Sequence, residues 1–241
     1  MNTEKLLKIA INAAKQAGSY LRNLDERVVI KDLDKDVKLK ADLESEKIIF
    51  NYLLKTDFSI LSEESPKIEK KSEFCWIVDP LDGTVNFLRR IPFNSISIAL
   101  YKGNKPILGV VYDFNRDELF TGIVGNGAKL NNKEIMVSPN RYKRDSIIMA
   151  GSNSDMVYEG KTLSEFIRRF KDFKKNRILG SAALSICYVA AGRGEVFVEE
   201  GVKFWDVAAG LAILQSAGGK FNLTKLKKGF LVHASNGNLV L

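Results

Sequence analysis

The chain has 241 residues, 45% of them hydrophobic, enough for one large domain or two smaller ones around a substantial core. No stretch approaches the roughly 20 uninterrupted apolar residues of a membrane helix, and the charge-studded start MNTEKLLKIAINAAKQAG is not a signal-peptide core, so a cytoplasmic protein without membrane attachment is expected. The net charge of +8 favours anionic ligands, yet the basic residues fall in short clusters such as KFNLTKLKKG and RRFKDFKKNR without interleaved aromatics, which argues against a nucleic-acid partner.

In chain order, apolar residues recur at helical spacing over residues 2–24 (Leu6, Leu7, Ala10, Ile11, Ala14, Ala17, Leu21) and predict an amphipathic helix. VVIKDLDKDVKLKAD alternates apolar and charged residues as an edge hairpin or a mobile loop would, and a second helix is predicted from about residue 42 in DLESEKIIFNYLLK, with Asp42 at its N-cap. A short strand in FSIL leads into the acidic loop SEES; FCWIV is too continuously apolar for a half-exposed strand and should lie inside its sheet. SISIALYKG, KPILGVVYD and ELFTGIVG follow as strands of an antiparallel meander, with GNGAKLNNKEI supplying hairpin turns. From about residue 141 the pattern changes to strand SIIMAGS, helix KTLSEFIRRFKDF, strand NRILG, helix SAALSICYVAAG, strand EVFVEE and a helix opening near Asp206 that ends at Gly218-Gly219. The expected organisation is therefore an α+β half over 1–140 and an α/β half over 141–241.

The chemistry concentrates in a few acids. Two cysteines, Cys75 and Cys187, each in an apolar run, and one histidine, His233, leave no basis for a zinc site; the thiols read as buried and reduced. Any metal would be held by carboxylates. DPLDGT at residues 79–84 reads as an ordinary Asp-Pro and Asp-Gly turn. Its place after an inner strand supports another reading: two carboxylates projected where open sheets hold ligands, whose repulsion a bound cation would relieve. Hard oxygen donors select Mg²⁺, with Mn²⁺ as a substitute. Glu63 and Glu64 in SEES and Asp206 in WD offer further oxygens, although singly each also suits a solvated loop acid or a helix cap.

SEES, WIVDPLDGTVNF and WDVAAGLAILQSAGG, in that order and together with GSAALSICYVAAG, resemble the inositol monophosphatase family of metal-dependent, lithium-sensitive phosphatases. The likeness runs over nearly the whole chain. It implies the layered αβαβα sugar-phosphatase fold, α+β and α/β in its halves, and a homodimer. It further implies two or three Mg²⁺ ions: one held by Glu63, Asp79 and the Leu81 carbonyl, a second by Asp79, Asp82 and Asp206. Glu63 and Thr84 would position the attacking water, Asp42 would accept a hydrogen bond from Thr84, and Gly83 and Thr84 would cradle the phosphate with backbone N–H groups, beside Asp82. Glu199, Gly180 and Ser181 would line the substrate pocket; Arg177 would meet a second phosphate or serve as a plain surface arginine. Lys31 falls in the family's mobile, metal-responsive segment, where a solvated lysine is equally expected. The sequence departs from the family in carrying Ser62 where glycine commonly precedes the paired glutamates, and in a short, lysine-rich link from SEES to DPLDGT.

The expected activity is hydrolysis of a small phosphorylated metabolite, inositol 1-phosphate first. Fructose 1,6-bisphosphate and adenosine 3′,5′-bisphosphate are alternatives within the same chemistry. A catalytically inactive basic protein that binds nucleic acid or acts as a scaffold is the alternative from another class.

Overall fold

The computed structural model describes residues 2–33, 36–151 and 159–239, and of residues 32, 33 and 36 the backbone alone. Helix α1 (Thr3–Arg22) is closed at its start by the Asn2 side chain, which accepts the Lys5 N–H at 3.0 Å; of the expected stripe it buries Leu6, Ala10, Ala14, Ala17 and Leu21, while Leu7 and Ile11 are half-buried at its margin. The alternating segment forms the antiparallel pair β1 (Val29–Leu33) and β2 (Asp36–Leu39); residues 34–35 lie outside the described residues. Helix α2 (Lys40–Leu53) begins two residues before the expected start. Its N-cap is Leu39, which has no capping oxygen, and Asp42 in the third helical position reaches back to accept the Leu39 N–H at 2.7 Å.

A seven-stranded sheet follows, built from β3 (Ser59–Ser62), β4 (Phe74–Asp82), β5 (Ser95–Lys102), β6 (Lys105–Asp113), β7 (Glu118–Ile123), β8 (Gly127–Leu130) and β9 (Lys133–Ile135) in sequential order. β3 and β4 are parallel; the remainder is the predicted meander. Side chains alternate across it. Ile96, Ile98 and Leu100 of β5 join the core under α1 and α2, whereas Ala99 and Tyr101 join the core on the opposite face.

That opposite face meets helices α5 (Ala182–Ala190) and α6 (Phe204–Ser216), which in turn lie on a second, five-stranded sheet. Its order is β11 (Lys175–Ile178), β10 (Ile147–Ala150), β12 (Val196–Val202), β14 (Phe230–Ser235), β13 (Lys220–Lys225), with β10 parallel to both neighbours and β14 antiparallel to both of its own. In the turn after helix α4 (Gly160–Arg168), Phe170 and Phe173 pack on Ile148, Ala150, Val196 and Val198 on the outer face. A five-residue helix α3 (Thr84–Leu88) completes the set. The layers therefore read αβαβα, with α+β character in the first sheet.

Two features differ from expectation. KFNLTK, which reads in the sequence as a solvated lysine cluster, is strand β13, and its partner β14 has no counterpart among the predicted elements. β13 alternates between exposed and half-buried residues at a sheet edge, a two-residue period that lysines disguise. Cys187 is buried as expected, but Cys75 is only half-buried; both are free thiols.

Candidate active site

The DPLD segment is not a turn that ends a strand. β4 runs through Asp82, and its pairing with β5 slips between Asp79 and Asp82. Pro80 has no N–H for the ladder, so a bulge is forced at this point. The bulge places Asp79 and Asp82 in buried positions, 2% and 7% exposed. Ser45 of α2 fixes it from behind by donating to the Pro80 carbonyl at 2.7 Å, and the Leu81 N–H folds back onto Asp79 Oδ1 at 3.0 Å.

Asp82 is held by the start of α5. The Ala182 and Ala183 N–H groups donate to its carboxylate at 3.3 and 3.1 Å, Ser95 Oγ donates at 3.3 Å, and the Ser181 hydroxyl makes a close contact with Oδ2. Ser181 is also the N-cap of that helix, accepting the Leu184 N–H at 3.2 Å. A carboxylate at a helix N-terminus is stabilised both by unpaired N–H groups and by the helix dipole. Asp206 repeats the arrangement of Asp42: Lys203, which has no capping oxygen, is the N-cap of α6, and Asp206 in the third position accepts its N–H at 2.7 Å. Neither acid is the N-cap that the sequence suggested.

These acids meet in one cavity of about 440 Å³, whose wall includes Glu63, Asp79, Asp82, Gly83, Thr84 and Asp206. Burial pushes the Asp79 and Asp206 carboxyls well above the usual range, and the charges of their neighbours, Glu63 and Asp82 for the first and Asp82 and Glu199 for the second, push the same way. Asp82 rises only to about 6, because the Ser181 and α5 hydrogen bonds oppose the effect of burial. Glu63 is raised to about 9 by burial of its carboxyl end and then by the charges of Asp206, Glu64 and Asp42. Water still reaches the Glu63 side chain from the cavity mouth, which screens part of that crowding. Among the described residues none of Glu63, Asp79, Asp82 and Asp206 is ion-paired to a lysine or arginine.

No three such side chains among the described residues stand in a ready coordination arrangement, so the fit to a metal rests on the donor set. Hard anionic oxygens, buried at Asp79 and Asp82 and open to the cavity at Glu63, crowded against one another and lacking a protein counter-charge, suit a divalent cation of the Mg²⁺ type.

Beyond the carboxylates, Gly83 takes φ +86° at the start of α3, a conformation that L side chains rarely adopt, and a Cβ there would lie 3.0 Å from the Gly180 and Phe93 carbonyl oxygens. The N–H groups of Gly83, Thr84 and Val85 meet no acceptor among the described residues. Thr84 Oγ1 has one proton and two acceptors in reach, Asp42 Oδ1 at 3.2 Å and the Leu81 carbonyl at 3.0 Å. Asp42 itself is 2% exposed, and burial raises its carboxyl to about 7 against the pull of the Leu39 N–H.

Glu199, Gly180 and Ser181 also line the cavity. Burial and then the Asp82 charge raise Glu199 to about 8. Arg177 does not reach it: β11 is an exposed edge strand, and the guanidinium donates to the Asn176 carbonyl at 2.8 Å while its neighbour Ile178 lines the wall. Lys31 is exposed on β1 and is not part of the wall. Ser62 closes β3 with its hydroxyl buried and unpartnered. The lysine-rich link is tied down by the Ile60–Ile68 bridge.

Of the wall residues that the motifs do not single out, three shape the site. Asn86 bridges the Phe93 and Leu179 carbonyls at 2.8 and 2.7 Å, locking α3 to the loop before α5. Gly151 faces Glu199 so closely that a methyl group there would coincide with the carboxylate. Among the described residues, Lys203 is the one cationic side chain in the wall. Asn86 lies inside the WIVDPLDGTVNF motif and Lys203 two residues before WDVAAG, whereas Gly151 adjoins neither.

The model of the Inositol monophosphatase family matches residues 2–239. The chain belongs to the inositol monophosphatase family. It is 38% identical to Nus factor SuhB of Pasteurella multocida (89% of this chain, 83% of that protein) and 37% identical to inositol-1-monophosphatase of Mesorhizobium japonicum (91% and 85%). The solved inositol monophosphatase of Anabaena (Nostoc) sp. PCC 7120 superposes with a TM-score of 0.87 at 33% identity, covering 99% of this chain and 93% of that one. Membership of this phosphatase family accords with the layered fold. Among the described residues no helix is long and apolar enough to cross a membrane.

Proposed function

We propose that this protein is a Mg²⁺-dependent phosphomonoesterase that hydrolyses inositol 1-phosphate to inositol and phosphate. The observation that carries the reading is the convergence of Glu63, Asp79, Asp82 and Asp206 on a cavity that also presents the unclaimed N–H groups at the start of α3. Glu63, Asp79 and the Leu81 carbonyl would hold one ion, and Asp79, Asp82 and Asp206 a second. Bound there, the ions would lower the pKa of water and neutralise charge that develops on the ester.

The protein groups do the rest. The amides of Gly83 and Thr84 receive phosphate oxygens, as helix starts do. Asp42 and the Leu81 carbonyl compete for the Thr84 proton, so the hydroxyl keeps a lone pair for water, and with Glu63 it sets that water on the phosphorus. The water oxygen bonds to phosphorus as the P–O bond to the inositol breaks; the water gives up one proton to solvent, the departing alkoxide takes up one from solvent, and inositol and hydrogen phosphate leave. Glu199, which can lie against Gly151 because that residue has no side chain, faces the hydroxyls of the ring.

Lys203 favours a second reading within the same chemistry, a bisphosphate such as fructose 1,6-bisphosphate or adenosine 3′,5′-bisphosphate, since an ammonium in an otherwise acidic wall would suit a second anionic group. A reading from another class, a catalytically silent binding protein, draws on the net charge of +8 and on the name Nus factor carried by the Pasteurella multocida relative. Measuring phosphate release from the three substrates, with Mg²⁺ and with a chelator, separates these readings. Release from inositol 1-phosphate that the chelator stops supports the first. Release from none of them, together with salt-sensitive retention on a polyanion, overturns it.

A further inference from the structure

Helix α3 opens with the N–H groups assigned to the phosphate, yet its five residues make little more than one turn, and a single turn does not hold itself in place. Its position comes from the side chains that grip it. At its end, Arg27 contacts the Phe87 carbonyl and lies over the Phe87 ring, 4.1 Å from the centroid. Toward the loops before β5 and α5 the grip is Asn86. Its amide nitrogen donates to the Phe93 carbonyl at 2.8 Å and to the Leu179 carbonyl at 2.7 Å. Two carbonyl acceptors require the NH₂ end of the amide to face them, and they use both of its protons. The fit leaves no slack: a Cβ on Gly180 would lie 2.9 Å from that nitrogen, and one on Gly83 would lie 3.0 Å from the Phe93 and Gly180 carbonyl oxygens.

The two carbonyls belong to the segments that hold Asp82. Ser95 stands two residues after Phe93 and Ser181 two residues after Leu179, and both hydroxyls meet the Asp82 carboxylate. We propose that Asn86 is a positioning residue for the reaction: it registers the Gly83 and Thr84 N–H groups against the frame that carries Asp82, so that the phosphate is gripped at a fixed place relative to the acids. The inference rests on the phosphate-cradle reading above. Removing the Asn86 amide loosens the cradle but not the frame, because Asp82 keeps its bonds from Ser95, Ser181, Ala182 and Ala183. Amides that grip the phosphoryl group act alike on the substrate and on the transition state, so their displacement weakens binding and leaves kcat in place.

The test compares wild type with Asn86→Leu, which keeps the volume and removes the donors, and with Asn86→Ala, which admits water to the freed carbonyls. Calorimetry with orthophosphate and Mg²⁺ gives a dissociation constant and a stoichiometry without turnover, and initial rates with inositol 1-phosphate give KM and kcat. Both variants are expected to weaken orthophosphate binding and to raise KM by roughly 10–100-fold together, with kcat within about threefold of wild type. Unchanged affinity, or a fall in kcat as large as the change in affinity, overturns the inference; it is what a residue that only supports the fold would give, together with a lower melting temperature and a lower stoichiometry. Failure of both variants to fold also overturns it, since the half-buried amide would then be serving the core. A wild type that binds orthophosphate but hydrolyses none of the three substrates ends the phosphatase reading, and the orthophosphate affinities alone then decide on Asn86. A wild type that binds no orthophosphate overturns both.

Discussion

Replacing Asp42 with asparagine separates the stability of the protein from its activity. The Asp42 carboxyl has a folded value of about 7 against 3.8 for the free group, chiefly through burial. The folded state therefore binds this proton more tightly than the unfolded chain. The stabilisation is fully present below about pH 3.8 and is lost as pH rises through about 7. A shift of roughly 3 pH units, at about 1.4 kcal/mol each, amounts to about 4 kcal/mol lost by pH 8. The substituting asparagine has no proton to lose and is nearly the same shape, and its amide oxygen can still accept the Leu39 N–H. The stability advantage of Asp42→Asn over wild type should therefore grow by about 4 kcal/mol between pH 4 and pH 8 in a chelator. Guanidinium denaturation of both proteins across that range measures it. Turnover with Mg²⁺ should fall by roughly 10–100-fold, the usual consequence of losing an outer-shell partner, because the asparagine NH₂ would occupy the lone pair through which Thr84 holds water. A stability difference that does not change with pH would refute the reasoning, for it would mean that Asp42 remains ionised in the fold at little cost.

Other substitutions act on separate parts of the site. Asp79→Asn should cost turnover more than the roughly 10–100-fold of an outer-shell loss, while raising metal-free stability at pH 8, since it removes a buried like charge; activity and denaturation assays check the two signs. Gly83→Ala should destabilise by about 1–2 kcal/mol from its left-handed backbone alone, and should raise KM by pushing the N–H groups off the phosphate, read by initial rates and thermal melting. If a bisphosphate is turned over, Lys203→Met should lower its kcat/KM by roughly 10–100-fold more than that of inositol 1-phosphate, the worth of one hydrogen bond to a charged group.

Much of the architecture was legible because burial imposes periods on the chain. The α1 stripe and the alternation of Ile96, Ile98 and Leu100 against Ala99 and Tyr101 are the helical and strand periods written in apolar residues. β13 was lost because one of its faces meets solvent and carries the lysines. The starts of α2 and α6 were displaced because leucine and lysine stand at the N-caps, so the familiar capping oxygen is missing and an acid in the third helical position replaces it. In the site, the carboxylates could be named because the motifs bring them close in sequence to proline and glycine breaks. Arg177 could not be judged, since strand direction at a sheet edge decides which side chain faces a cavity, and there Ile178 does. Gly151 was invisible for a related reason: it matters only through Glu199, remote from it in the chain.

The most direct measurement is an anomalous difference map from crystals soaked in Mn²⁺ and phosphate. The account predicts density for one ion between Glu63 and Asp79 and for another among Asp79, Asp82 and Asp206, with phosphate against the Gly83 and Thr84 amides. Ions bound elsewhere, with Glu63 and Asp206 turned out of the cavity, would contradict it.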